Sequence, residues 1–167
     1  MKNDQTTDKM KETLPFSTPQ QFLDHWQGHR RLTRRVIEAF PEKELHEFSV
    51  GGMRPFAALV AELLAIAVPG LREIVSGKVE SFSEDRDIRL SKAEWLERWD
   101  TATEGINAWF AQIAPERFQE QMTIFGMYPG TVSSHLLYFI DNEIHHRGQG
   151  YVYLRALGIE PPAFWER

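Results

Sequence analysis

The chain has 167 residues, of which 42% are hydrophobic, a length that suits one buried core and is short for two domains. Its 24 acidic and 19 basic side chains give a net charge of −5 without a dominant basic run, so we expect no nucleic-acid partner. The absence of cysteine excludes disulfides, thiolate nucleophiles and sulfur-ligated zinc, so any metal site must use nitrogen and oxygen ligands.

The N-terminal residues 1–16 are polar and lack the continuous apolar segment of a secretory signal. We predict that they form a lead-in to a single domain at residues 17–167. The most apolar run, residues 56–71, is interrupted by Glu62 and Pro69 and is too short to span a membrane. We therefore expect a cytoplasmic protein without a membrane partner.

Four segments have the apolar spacing and the capping residues of amphipathic helices. They are predicted from Pro19 to Pro41, from Pro55 to about Gly70, from Ser91 to Pro115 and from Thr131 or Ser133 to Gly158. Pro69 is expected to bend or stop the second helix. Residues 78–89 are predicted to be a solvent-exposed connecting segment, and residues 116–130 are predicted to be a loop. No segment has a convincing strand pattern. The pattern predicts an all-α fold, an antiparallel four-helix bundle.

Glu62 is a charged residue on the apolar face of the second predicted helix, which also contains Leu59, Leu63 and Ile66. A buried carboxylate must stay protonated, pair with an arginine or coordinate a cation. The alternative is that a groove or a helix end leaves Glu62 in contact with water.

Asn142 and His146 are four residues apart on the fourth helix and share one helix face, the spacing at which two side chains hold one metal ion. His146 is otherwise explained as a neutral core histidine bonded to a backbone carbonyl. His145 lies about 100° round the helix and is placed at the rim of any such site. Gln149, three residues after His146, lies on the same side of the predicted helix.

His25 and His29 form a second pair four residues apart, on the first helix. They are able to bind a metal, but no third ligand is in view, and pairing with a carboxylate such as Glu62 is the alternative. Glu143 and Arg147 have the spacing of a helical ion pair, which we predict to face solvent.

The segment Asn142–Gln149, followed by Tyr153–Ile159 and Pro161-Pro162, resembles the last helix of the DinB/YfiT-like proteins, and Leu59–Leu64 resembles their first ligand region. The resemblance implies the four-helix-bundle fold and a zinc or nickel ion held by three histidines. Glu62, Asn142 and His146 stand at those three places, with His25, His29, His145 and Gln149 expected around them. Since only His146 keeps the family's residue type, the oxygen-rich ligands favour manganese or magnesium.

Three functions follow as alternatives. A bound metal would make the protein an enzyme of the family's kind, a thiol-dependent transferase or a hydrolase. Without metal, Asn142 and His146 would hold Glu62 by hydrogen bonds, giving an acid/base pair in a small-molecule-binding or stress-associated module. The third alternative is a structural protein whose aromatic residues pack between subunits. We expect a small-molecule partner and a homodimer, and the sequence does not decide whether the protein is an enzyme.

Overall fold

The computed structural model describes residues 16–83 and 89–167, so the predicted lead-in lies outside the described residues except for Phe16. Five helices follow one another: α1 (Pro19–Ala39), α2 (Glu42–Glu47), α3 (Phe56–Ser76), α4 (Lys92–Phe110) and α5 (Val132–Ala156). Between α4 and α5 lie a 3₁₀ turn (Pro115–Gln119) and a hairpin of two strands, β1 (Gln121–Ile124) and β2 (Tyr128–Thr131).

Side-chain caps explain where three of the long helices begin. The hydroxyls of Thr18, Ser91 and Thr131 each accept a hydrogen bond from the backbone N–H three residues later. Thr18 and Ser91 also belong to capping boxes, in which Gln21 and Glu94 return a bond to the cap backbone. The predicted starts of these helices are confirmed.

The four long helices pack so that α1 and α3 each contact both α4 and α5. The mostly helical fold is confirmed, and these contacts are compatible with the predicted antiparallel bundle. Buried side chains form two clusters, one around Trp26, Leu71 and Phe139 and the other around Phe40, Phe56 and Tyr153. Within residues 16–83 and 89–167, none of the helices combines the length and the apolar character that crossing a bilayer requires.

Helix α3 continues through Pro69 and ends only at Ser76, so the predicted end near Gly70 was wrong. Proline lacks the N–H that would bond to the carbonyl of Ala65, which removes one helical hydrogen bond. The residues beyond it include fully buried Leu71 and Ile74, and the burial of their side chains offsets that loss.

The segment between α4 and α5 is an ordered hairpin, whereas the sequence pattern predicted a loop. Its register pairs Gln121 with Thr131 and Ile124 with Tyr128. Glu73 of α3, only 1% exposed, fixes the hairpin to the core, because its Oε2 accepts a hydrogen bond of 2.9 Å from the backbone N–H of Phe125. Since β2 ends at the residue that caps α5, the hairpin also sets the start of that helix.

Candidate functional site

Helices α3 and α5 bring Glu62, Asn142 and His146 together. The Nε2 of His146 lies 3.0 Å from Oε1 of Glu62, and the Nδ2 of Asn142 lies 3.4 Å from the same oxygen. Asn142 and His146 are 9% and 5% exposed. One helical turn of α5 therefore presents two side chains to a single carboxylate oxygen on α3, as their spacing predicted.

Arg54 occupies the other oxygen of that carboxylate. Its Nη2 donates to Oε2 of Glu62. Arg54 lies in the segment before α3, and the hydroxyl of Tyr153 on α5 donates to the Arg54 carbonyl at 2.9 Å, which holds that segment in place. An arginine was one expected partner of Glu62, but the periodic pattern could not identify Arg54, because a residue outside the helices follows no such pattern.

These contacts keep Glu62 ionised at neutral pH. Burial raises the pKa of the Glu62 carboxyl, but the hydrogen bonds and positive charges of Arg54 and His146 outweigh that effect and leave the pKa below its usual value. An ionised carboxylate only accepts hydrogen bonds, so the His146 nitrogen that faces it carries a proton.

A chain of hydrogen bonds leads from Glu62 towards the surface. The Nδ1 of His146 lies 3.1 Å from Oε1 of Gln149, and the Nε2 of Gln149 lies 3.3 Å from the Nε2 of His145, which is exposed. Either orientation of the Gln149 amide allows this contact, with its oxygen accepting from Nδ1 or its nitrogen donating to Nδ1. Gln149 therefore connects buried His146 with exposed His145.

Some of the groups around the Glu62 carboxylate are partly exposed. The side chains of Arg54 and Glu62 are 32% and 13% exposed. Tyr138, one turn before Asn142 on α5, is about half exposed. Burial raises the pKa of the Tyr138 phenol, and the negative charge of Glu62 adds to the effect. A guanidinium, a phenol and the His146–Glu62 pair are therefore the polar groups of this part of the surface.

The residues at this site do not fit a tightly held divalent metal ion. The single negative charge of Glu62 is already balanced by Arg54, and a dication would have to sit against that guanidinium. Asn142, whose amide nitrogen faces Glu62, would have to turn its oxygen inward, and His146 Nε2 would have to give up its proton. Across residues 16–83 and 89–167, no group of three or more His, Cys, Asp or Glu side chains has the geometry to hold a metal.

A second polar cluster lies between α1 and α5 and contains His29, Thr33, Glu143 and Arg147. Thr33 Oγ1 donates to Oε1 of Glu143 at 2.6 Å, and Arg147 Nη1 donates to Thr33 Oγ1 at 3.0 Å. Glu143 and Arg147 are 2% and 6% exposed, so their predicted solvent-side position was wrong. Arg30, also buried, approaches the other oxygen of Glu143 at 3.6 Å.

His29 and His25 belong to this second cluster. The Nδ1 of His29 accepts from Arg147 at 2.9 Å, while its Nε2 lies 3.2 Å from the Nε2 of His25 and 3.0 Å from Arg167 Nη1. Burial, together with the neighbouring charges of Arg147, His25 and Arg167, lowers the pKa of His29 to about 3. The hydrogen bonds found for these two histidines therefore connect them with arginines and with each other rather than with Glu62.

A sequence model of the DinB family matches residues 5–167. A DinB-like protein from Bacillus cereus superposes with a TM-score of 0.69 at 20% identity, over 86% of this chain and 95% of that one. A DinB-like protein from Bacillus subtilis gives a TM-score of 0.68, also at 20% identity, over 88% of this chain and 99% of that one. A comparison with functionally curated proteins finds no match. The family match spans nearly the whole chain, and the protein belongs to the DinB family.

Proposed function

We propose that this protein is a metal-independent small-molecule-binding member of the DinB family, whose site lies between facing helices of an antiparallel four-helix bundle. The observation that carries the proposal is the pairing of both Glu62 oxygens with protein donors, Arg54 on one and His146 with Asn142 on the other. The guanidinium supplies the positive charge that a metal ion would bring. The carboxylate is therefore satisfied by the protein alone.

The site has the groups for proton exchange with a bound molecule. A ligand bound beside the partly exposed side chains of Arg54 and Tyr138 would lie near an imidazole and a carboxylate that already share a hydrogen bond. Such a pair acts as general acid and base when its proton is within reach of the ligand. Whether it turns over a substrate or only binds one, the role of Arg54 is to keep Glu62 ionised.

The metal-dependent alternative remains a hypothesis with one supporting observation. The three positions at which related proteins are expected to carry histidines converge on one point, since Asn142 and His146 both contact Oε1 of Glu62. Metal binding there, by zinc or nickel or by the manganese or magnesium that oxygen ligands favour, requires Arg54 to leave the carboxylate. Only then would the thiol-dependent transferase or hydrolase chemistry implied by the resemblance become available.

Calorimetric titration of the chelator-treated protein with zinc, nickel and manganese separates the two functions. The proposal predicts no stoichiometric binding to the natural chain and about one site per chain in an R54M/E62H/N142H variant, which regains three histidines and loses the competing cation. Adding H146A to that variant should abolish the binding. One metal per natural chain, lost in H146A, would overturn the proposal.

Ligand binding is tested by a thermal-shift screen of small polar compounds in the presence of chelator. Compounds that stabilise the natural chain but not E62Q support the proposed site. If every stabilising compound requires added metal, the metal-dependent alternative is the better account. A homodimer and a cytoplasmic location are further parts of this proposal.

A further inference from the structure

One face of α5 carries large apolar side chains that the other described residues leave exposed. The side chains of Leu137, Ile144 and Val152 are 51%, 39% and 53% exposed. Together with exposed Asp141, Gly148 and Arg155 they lie within about 80° of the helix circumference, at 100° per residue. A surface helix normally places charged or polar residues along such a stripe.

These six residues form the α5 stripe, in which apolar and charged residues lie at matching distances on either side of Gly148. Ile144 and Val152 lie four positions to either side of it, and Asp141 and Arg155 lie seven positions to either side. If two copies of α5 cross antiparallel at Gly148, Ile144 of each copy faces Val152 of the other. Asp141 then faces Arg155 at both ends. A parallel crossing would instead set Asp141 against Asp141 and Arg155 against Arg155.

The packing within the chain does not explain a glycine at position 148. A Cβ added there would meet no atom of residues 16–83 and 89–167 within 4 Å, whereas one added at Gly150 would lie 2.5 Å from the ring of Phe56. Glycine inside an exposed helix is destabilising relative to alanine. A close approach by a second helix is the contact that such a glycine permits.

A cavity of about 390 Å³ adjoins the stripe and extends its apolar surface. Ile144, Gly148 and Arg155 form one side of it, and the C-terminal residues Phe164 and Trp165 form another. Both aromatic side chains are more than half exposed. Arg35 holds this terminal segment by donating to the Glu166 carbonyl at 2.9 Å. A side chain from a second copy that crosses at Gly148 would find an apolar recess beside it.

We propose that two copies of this chain form a two-fold homodimer through the stripe of Leu137, Asp141, Ile144, Gly148, Val152 and Arg155, with the two α5 helices antiparallel. The interface is isologous, so each residue that contributes to it does so twice. This proposal deepens the expectation of a homodimer and is independent of the Glu62 site, so either can fail without the other.

Charge reversal tests the pairing of Asp141 with Arg155. D141R and R155D should each weaken the dimer about tenfold, because two attractive pairs become repulsive, and an equimolar mixture should restore it because every pair is then opposite in sign. Sedimentation equilibrium measures the dissociation constants. E104R, the same change at an exposed position of α4, is the matched control and should leave the constant unchanged. A monomer at all concentrations, or an unchanged constant in both reversals, would overturn the proposal.

Disulfide trapping tests the direction of the helices and benefits from a chain without native cysteine. Under mild oxidation, a mixture of I144C and V152C should form a cross-linked pair. I144C alone should not cross-link, since the two copies of residue 144 would be about 12 Å apart along the helix axis. Cross-linking of I144C with itself, or none in the mixture, would contradict the antiparallel arrangement.

Discussion

Arg54 decides the chemistry of the candidate site at the scale of single residues. It neutralises a carboxylate that, on the sequence alone, was equally a metal ligand, a protonated acid or half of an ion pair. The pKa of Glu62 lies below its usual value in the folded state. Ionised Glu62 therefore contributes stability that is present above its unfolded pKa, near 4.5, and is lost as the pH falls through its lower, folded-state pKa.

Replacing Arg54 by methionine should lower the free energy of unfolding by about 1–2 kcal/mol at pH 7, between the values for exposed and buried ion pairs. The difference from the natural chain should shrink as the pH is lowered below about 4.5, because protonated Glu62 no longer needs the guanidinium. Urea unfolding at a series of pH values measures both quantities. R98M, at an exposed position of α4, is the control. A loss that is independent of pH would mean that Arg54 acts through packing alone.

The lowered pKa of His29 leads us to expect a second effect of pH on stability, over a different pH range. Its folded pKa of about 3 lies below the usual 6.5, so the unfolded chain binds the proton more tightly. The protonation of His29 on unfolding should lower the free energy of unfolding by at most about 1.4 kcal/mol per pH unit as the pH drops from 6.5 towards 3. H29Q should show a shallower dependence in this range, measured by urea unfolding. Equal slopes for H29Q and the natural chain would show that His29 does not titrate this way.

Residue spacing predicted part of the site and missed the rest for identifiable reasons. The four-residue spacing placed Asn142 and His146 on one face, and the apolar phase of α3 placed Glu62 towards it. The same spacing paired Glu143 with Arg147 but put the pair in solvent. Spacing fixes which residues are neighbours, not which face is buried, and α5 is covered by both α1 and α3.

At the scale of elements, the hairpin depends on a single buried carboxylate. Glu73 Oε2 accepts the backbone N–H groups of Phe125 at 2.9 Å and Glu80 at 3.1 Å. E73A should cost about 2–4 kcal/mol, because both donors lose their partner. It should also speed hydrogen exchange across residues 121–131. E73Q keeps one acceptor oxygen and should lose less. Unchanged exchange in E73A would show that strand pairing alone holds the hairpin.

The contact between α3 and α5 depends on Gly70. A Cβ at this position would overlap the ring of Phe139, so G70A should destabilise the protein by about 1–3 kcal/mol although alanine is the better helix former. At Gly105 the nearest atom to an added Cβ is a Val68 methyl at 3.3 Å, and G105A should cost less. Thermal unfolding of both variants makes the comparison. A stabilised G70A would mean that the two helices separate without cost.

Elements with local signals were predicted well, and those held by distant contacts were not. Capping residues fixed the starts of α1, α4 and α5. The extension of α3 beyond Pro69 depends on burial of Leu71 and Ile74, and the hairpin depends on Glu73, 52 residues before Phe125 in the chain. Pro129 and the glycines of that segment also suggested a turn rather than a strand.

At the scale of the whole molecule, this chain shares its fold with proteins of low sequence identity. The DinB-like structures from Bacillus cereus and Bacillus subtilis have the same fold as this chain, although each is only 20% identical to it. Helical periodicity and a buried core tolerate many sequences. A metal site depends on a few residue types, and in this chain Arg54 balances the charge of Glu62. Membership of the family therefore predicts the architecture more firmly than the cofactor.

The measurement that tests the central claim most directly is elemental analysis of the untagged protein, purified from cells grown with added zinc, nickel and manganese. E62Q is analysed in parallel, before and after dialysis against chelator. The account predicts far less than one metal per chain in both proteins and the same thermal stability with and without chelator. About one metal per natural chain, absent from E62Q, would contradict it and make Glu62, Asn142 and His146 a metal site.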